Sequence, residues 1–260
     1  MQPYDPIPEL EKFGYTEHES AFLYLVGMHS GYFLRRQFLA SVQREDGAMA
    51  QRFLLKSVQL GHAVPIEYAA GRHIYHLRSR IVYRVLEKED SQLRRPKADR
   101  EIKSRLMQLD YILDHPGVQF LHSDQQKNEY FEKRTQAQTS LWPETRPAED
   151  QAKPSFGPFP IAAVTGKLGP DSILSFAFVD DGLRSVSAFE RWLAKVEPLL
   201  VTLRRAEIVY VANTRRNLDA AEREFLRRFR RQSTRQVSIR AHLLDYDYPI
   251  WSMKYRRSVI

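Results

Sequence analysis

The chain has 260 residues, with 40 Lys and Arg against 32 Asp and Glu, which gives a formal net charge of +8. This length exceeds one average domain and suggests two, and a hydrophobic content of 43% excludes wholesale disorder. The absence of cysteine excludes a disulfide scaffold, a thiolate metal site and a cysteine nucleophile.

The distribution of apolar residues favours a cytoplasmic protein with no membrane partner. No apolar run approaches the ~20 residues that a membrane span needs. Residues 1–6 lack the charged and apolar regions of a signal peptide. The excess of positive charge favours a polyanionic partner.

The positive charge is concentrated in one part of the chain. Residues 1–31 contain one base and five acids, whereas residues 32–84 contain nine bases and three acids. A second basic block extends from Arg223 to Arg240. Most of these bases are arginine, whose planar guanidinium suits phosphates and guanine edges. A solvated charged face is the alternative interpretation.

Residues 10–90 predict three helices followed by a β-hairpin. Thr16 and Glu19 have the spacing of a capping box, which opens the first helix. Gly31 and Gly61 are suited to end the first and third helices. The predicted helices span 17–29, 34–42 and 48–60, and the predicted strands span 64–68 and 72–77. This order of elements is that of a winged helix-turn-helix domain.

The third helix, 48–60, is predicted to enter the major groove of double-stranded DNA. Phe53, Leu54 and Val58 face inward at helical spacing. The residues predicted to face outward and reach base edges are Gln51, Arg52, Lys56 and Gln59. Contacts to flanking phosphates are assigned to Arg35 and Arg36, and contacts of the wing to the DNA backbone or the minor groove are assigned to Arg72, His73, Arg78 and Arg80. A winged helix that contacts protein, with a generically charged face, is the alternative.

Residues 91–155 predict a helical and polar linker region. A charged amphipathic helix over 98–115 is followed by a glutamine-rich stretch and by a loop that contains three prolines. The helix suits either a homodimer, as regulators that read paired half-sites form, or packing between the domains. A larger nucleoprotein complex, or an adaptor that binds protein through 98–135, is a further alternative.

Residues 156–260 alternate short apolar runs with amphipathic helices, which predicts an α/β domain. Strands are expected near 173–179, 206–212 and 237–243, and helices over 186–203 and 218–231. Residues 246–257 interleave aromatic and basic side chains. Such a segment either stacks on unpaired bases or packs its aromatic edge onto a domain and leaves a basic tail.

Several short motifs carry a resemblance to a known family. They are Pro170-Asp171, the strand end Asp180-Asp181-Gly182, a helix that carries Lys195, and the strand Ile208-Val209-Tyr210-Val211-Ala212-Asn213-Thr214. With the winged helix, they make the chain resemble the plasmid replication-relaxation family over about 10–90 and 159–232. The resemblance implies a degenerate restriction-endonuclease-like domain. It also implies a DNA-binding protein of plasmids or other mobile elements, acting in replication, mobilisation or transcriptional control.

The second domain is expected to lack catalytic activity and to need no cofactor. A metal-dependent DNA endonuclease is the alternative, in which Asp171 and Asp180 hold Mg²⁺ or Mn²⁺ and Lys195 positions the nucleophile. The sequence departs from that pattern, because Phe178 and Gly182 stand two residues before and after Asp180. Turn formation is the preferred interpretation of residues 180–182.

Overall fold

The structure, a computed structural model, describes residues 4–121, 126–130, 144–145, 153–154, 161–163, 173–203, 205–229, 236–246 and 248. The fold is of mixed α+β class. The chain forms two compact units, one of Met1–Asp114 with Tyr246–Ile260 and the other of His115–Asp245. These boundaries differ from the expected 90 and 155, because helix 98–115 packs into the first unit. Within the described ranges, every helix is too short or too polar to span a bilayer.

The first unit contains six α-helices in the described part of the chain. They are α1 (Ile7–Glu11), α2 (Glu17–Leu25), α3 (Arg35–Ser41), α4 (Ala48–Gln59), α5 (Arg80–Val85) and α6 (Asp99–Leu113). A π-helical turn, Val26–Ser30, follows α2, and a 3₁₀ turn, Gln92–Arg94, precedes α6. The predicted capping box is confirmed, since the Thr16 N–H donates to Glu19 Oε2 over 2.8 Å and Thr16 Oγ1 accepts from the Glu19 N–H.

A three-stranded antiparallel sheet completes the first unit. Its strands are β1 (Tyr32–Phe33), β2 (Ala63–Ala69) and β3 (Arg72–Leu77), in the order β1-β3-β2. The predicted hairpin is confirmed as β2 and β3, with Gly71 in the turn at a φ of +69°. Strand β1 is too short for its sequence to show an alternating pattern.

Phe53 of α4 anchors that helix in an aromatic core. Its ring stacks on Phe38 of α3, with 4.3 Å between centroids, and lies 5.8 Å from Phe22 and 5.9 Å from Phe33. All four side chains are fully buried or nearly so. Because α2, α3, β1 and α4 share this cluster, close packing of these rings helps to set the orientation of α4.

Gly31 permits the chain to reverse between the π-helical turn and β1. It has a φ of +76°, in the left-handed region that glycine tolerates. A Cβ at this position would also lie 2.6 Å from the carbonyl oxygen of Leu93. Any side chain here would therefore push the 3₁₀ turn away from the sheet.

The second unit is built on a five-stranded sheet. Its strands are β4 (Gln119–Leu121), β7 (Ile161–Ala163), β8 (Leu174–Asp180), β9 (Arg205–Ala212) and β10 (Gln236–Leu243), and their order is β10-β9-β8-β7-β4. Strands β8, β9 and β10 are parallel, whereas β7 and β4 are antiparallel to their neighbours. Strands β5 (Glu144–Thr145) and β6 (Lys153–Pro154) form a separate pair.

Helices supply the crossovers that the parallel strands require. Residues 126–130 form α7, and α8 (Val186–Leu200) and α9 (Leu218–Phe229) connect β8 to β9 and β9 to β10. Their apolar faces pack on the sheet, where Phe178, Phe189 and Tyr210 lie 5.2–5.5 Å apart. The predicted strands and helices of this region are confirmed to within a few residues.

Two buried histidines lie where β2 and β3 join the helices of the first unit. The Nδ1 atom of His62 lies 2.9 Å from the hydroxyl of Tyr15. His76 stacks on Tyr32, with 4.2 Å between centroids, and its Nε2 lies 3.0 Å from the carbonyl oxygen of Leu93. Burial lowers the pKa of both His62 and His76.

We expect the first unit to lose stability as the pH falls below about 6.5, the pKa of an unfolded histidine. Below this pH, His62 and His76 bind protons in the unfolded chain but stay neutral in the folded chain, because burial lowers their pKa. Protonation therefore favours unfolding. Urea unfolding at pH 7.5, 6.5 and 5.5 measures the slope, which His76→Gln should reduce. His18→Gln is the matched control, because His18 is exposed. Equal slopes for His76→Gln and the wild type would contradict this assignment.

Candidate nucleic-acid interface

A groove of about 650 Å³ lies between α4, the start of α3 and the β2–β3 hairpin, and we call it the α4 groove. Leu54, Val58 and Tyr75 are among the apolar side chains that line it. Arg35 and Arg72 are among the cationic residues of the same lining. The α4 groove therefore combines apolar and cationic groups.

The exposed face of α4 carries three of the predicted base-reading residues. Gln51, Arg52 and Gln59 are exposed, as expected, and Gln51 also lines the α4 groove. Leu55 lies on the same face and is 50% exposed. Because residues four apart lie on one side of a helix, Gln51, Leu55 and Gln59 form a single row along α4.

Lys56 does not face outward as expected. Its Nζ donates to Glu19 Oε2 over 2.6 Å and to the carbonyl oxygen of Gly14 over 2.7 Å. The ammonium also lies 5.3 Å from the ring centroid of Tyr15. Since the Glu19 side chain is 5% exposed, Lys56 balances a buried carboxylate and fixes α4 against α2.

Arg36 is also held inside the first unit. It forms a bidentate ion pair with Asp110 of α6, with Nη1 2.6 Å from Oδ1 and Nη2 2.8 Å from Oδ2. Burial works against its charge, but the hydrogen bonds and the charge of Asp110 prevail, so the pKa of Arg36 is raised. Although Arg36 lines the α4 groove, this geometry assigns it to the fold rather than to a phosphate contact.

Two tyrosines from residues 246–248 complete the cluster around Arg36. The Tyr248 hydroxyl donates to Asp110 Oδ2 over 2.6 Å, and the guanidinium carbon of Arg36 lies 4.2 Å from the ring centroid of Tyr246. Burial, together with Asp110, raises the pKa of Tyr248, and burial with the Asp114 hydrogen bond raises that of Tyr246 to about 12. These two aromatic residues pack onto the first unit, whereas residues 249–257 lie outside the described part of the chain.

The remaining cationic candidates divide between the two ends of the hairpin. Arg72 is exposed beside the turn, and His73 is half-buried next to it. Arg78 is exposed at the other end, six residues along from Arg72, or about 20 Å of extended strand. Arg80 pairs with Glu89. The α4 groove therefore gathers Arg72 and His73 but not Arg78 or Arg80.

Ion pairs engage five of the nine bases that the sequence concentrates in residues 32–84, with four carboxylates between them. The paired bases of this segment are Arg35 with Asp46, Arg36 with Asp110, Lys56 with Glu19, and Arg80 and Arg84 with Glu89. Of the nine bases in this segment, the four without an acidic partner among the residues that the structure describes are Arg44, Arg52, Arg72 and Arg78. These are the cations that remain available for phosphate.

In the second unit, Asp180 is buried at the carboxyl end of β8. Its Oδ2 accepts hydrogen bonds from the Tyr210 hydroxyl over 2.7 Å and from Asn217 Nδ2 over 2.9 Å. Its Oδ1 accepts from the N–H of Gly182 over 2.9 Å, which confirms the predicted turn. Three donors from its own unit therefore hold Asp180 in place. Burial of Tyr210, together with the hydrogen bond from its hydroxyl to Asp180, raises the pKa of Tyr210.

Of the other two residues of the endonuclease alternative, the structure describes Lys195. Lys195 is exposed and lies nine residues into α8, about 14 Å along the helix from its first residue. Asp171 lies outside the described residues. No group of three or more acidic or histidine side chains with metal-binding geometry occurs among the described residues.

No protein-family model, curated protein or solved structure matches this chain.

The sequence interpretation missed Leu55 and the pairing of Arg36. The signal for Leu55 was available, because it stands four residues from both Gln51 and Gln59. The partners of Arg36 lie 74 and more than 200 residues away, a separation that helical spacing does not reveal.

We expect Asp110→Ala to lower the free energy of unfolding of the first unit by about 3 kcal/mol, because it leaves Arg36 without its carboxylate. This value lies at the low end for a buried pair, since 33% of the Arg36 side chain is exposed. Chemical denaturation followed by circular dichroism measures the change. Glu89→Ala, which breaks an exposed pair, is the control and should leave the midpoint nearly unchanged. Equal effects of both variants would contradict the structural role of Arg36.

Proposed function

We propose that this chain binds double-stranded DNA through its first unit, which acts as a winged helix-turn-helix domain, and that it does not cleave the DNA. The observation that carries the proposal is the exposed face of α4, which presents Gln51, Arg52 and Gln59, together with the α4 groove, which Gln51 and Arg72 line. Arginine and glutamine are the side chains that pair with guanine and adenine edges.

The order of elements supports a winged helix. Helices α2, α3 and α4 precede the hairpin, and β1 adds a third strand beside β3. Helix α4 has 12 residues and is therefore about 18 Å long, a length that lies readily along a major groove. Its inward face is anchored by Phe53, which leaves the opposite face to meet a ligand.

The charges that remain without an internal partner support a polyanionic ligand. Arg52 on α4 and Arg72 on the hairpin are both exposed and have no acidic partner among the described residues. A guanidinium in this state gains free energy by releasing counterions from DNA phosphates. By resemblance, the biological setting we propose is plasmid or mobile-element replication, mobilisation or transcriptional control in the cytoplasm.

Fluorescence anisotropy with the full chain and a pool of random duplexes tests this function. Because phosphate contacts release counterions, affinity should fall steeply between 50 and 200 mM salt. Arg72→Ala should lower the slope of log affinity against log salt by about one. Arg52→Ala should cost about 1–3 kcal/mol of binding and relax sequence preference.

Arg84→Ala is the matched control, since this arginine lies in the same segment but pairs with Glu89. It should leave both affinity and salt slope unchanged. Duplex affinity that does not respond to salt, or that falls equally in Arg84→Ala and Arg72→Ala, would contradict the proposed interface. An absence of binding to any duplex would favour the adaptor alternative.

A plasmid-nicking assay with Mg²⁺ or Mn²⁺ tests the absence of cleavage. Supercoiled plasmid should stay intact with the wild-type chain, because Asp180 is engaged with Tyr210, Asn217 and Gly182. Asp180→Ala should instead lower the free energy of unfolding by about 1–3 kcal/mol, as loss of a buried acceptor does. Nicking by the wild type that Asp180→Ala abolishes would establish the endonuclease alternative.

A further inference from the structure

Leu55 is a large apolar side chain in the middle of the polar row on α4. It is 50% exposed, and Gln51 and Gln59 lie one helical turn before and after it. It also joins Leu54 and Val58 in the lining of the α4 groove. An exposed leucine alone needs no explanation, but this one lies at the centre of the face that the proposed function assigns to DNA.

The chemistry of this row matches one kind of base pair. In the major groove, thymine presents a 5-methyl group, and adenine presents the N6 donor and N7 acceptor that a glutamine side-chain amide can bind together. A row that alternates amide, isobutyl and amide groups is therefore complementary to adjacent A·T pairs. Among the four bases, only thymine carries a methyl group in the major groove.

We propose that Leu55 determines specificity by packing against the 5-methyl group of a thymine, so that α4 selects sites with a thymine at the centre of its contact. This inference rests on the proposed DNA-binding function. Arg52, three residues before Leu55, and Arg72 across the α4 groove favour a polyanion over an apolar protein surface as the occupant. Leu55 therefore contacts a base within a charged ligand.

The dimensions of the row set the number of base pairs involved. Eight residues separate Gln51 from Gln59, which is about 12 Å along the helix. Base pairs are stacked about 3.4 Å apart, so the row spans about three to four steps. With Leu55 at the midpoint, the methyl contact falls on one or two central positions of the site rather than throughout it.

Replacement of thymine by deoxyuridine isolates the contact, because it removes only the methyl group and preserves pairing. Duplexes that the full chain enriches from a random pool supply the parent site. Each thymine of that site is then replaced singly, and affinity is measured by fluorescence anisotropy for the wild type and for Leu55→Ala. Leu60→Ala is the matched control, since Leu60 caps α4 with 45% exposure and does not line the groove.

The wild type should lose about fourfold in affinity at one or two central thymines, the change that corresponds to burial of one methyl-sized group. Leu55→Ala should bind the thymine and deoxyuridine duplexes equally. Leu60→Ala should retain the wild-type difference. Circular dichroism of both variants verifies that each is folded.

Two results, one with the wild type and one with Leu55→Ala, overturn the inference and leave DNA binding intact. One is a wild type that binds thymine and deoxyuridine duplexes equally at every position, and the other is a Leu55→Ala variant that keeps the difference. Failure to bind any duplex overturns the proposed function and this inference together. A loss of discrimination in Leu60→Ala as well as in Leu55→Ala also counts against it, since the effect would then be nonspecific.

Discussion

The ion pair between Arg36 and Asp110 fixes the position of α3, whose first residues form one side of the α4 groove. Arg36 stands near the start of α3, and Asp110 lies on α6, so the pair joins two helices that are distant in sequence. Helix α3 in turn holds α4 through the stacked rings of Phe38 and Phe53. A fully desolvated carboxylate tolerates little displacement of its partner, and the position of α3 is therefore closely constrained. The face that α4 exposes follows from this constraint.

Internal pairing also decides which cations are available to a ligand. A run of basic residues in the sequence shows how much charge is present, but the acids that neutralise it come from other elements. Glu19 reaches Lys56 from α2, and Glu89 reaches Arg84 from beyond α5. What remains without an internal partner, above all Arg52 and Arg72, is a smaller set with a defined position. The proposed interface therefore has fewer available cations, at more narrowly defined positions, than the composition of residues 32–84 indicates.

The sequence predicts local elements well, because their signals are local. The capping box of Thr16 and Glu19, the turn at Gly71 and the bounds of β3 all depend on residues a few positions apart. The exposed positions of Gln51, Arg52 and Gln59 follow from helical spacing for the same reason. By contrast, the inward position of Lys56 depends on a carboxylate 37 residues away, and the assignment of α6 to the first unit depends on tertiary packing. Neither leaves a periodic pattern in the sequence.

The contact between Asp110 and Tyr248 has a consequence for the order in which the chain folds during synthesis. The two residues are 138 positions apart, and the whole second unit is translated between them. Domains fold as units from the N-terminal side as the ribosome advances, at about 5–20 residues per second. The first unit can therefore form its aromatic core early, yet Asp110 waits on the order of ten seconds for the hydroxyl of Tyr248. Until then Asp110 can pair with Arg36 but lacks the hydrogen bond from Tyr248, so α3 and α6 come together before this last contact forms.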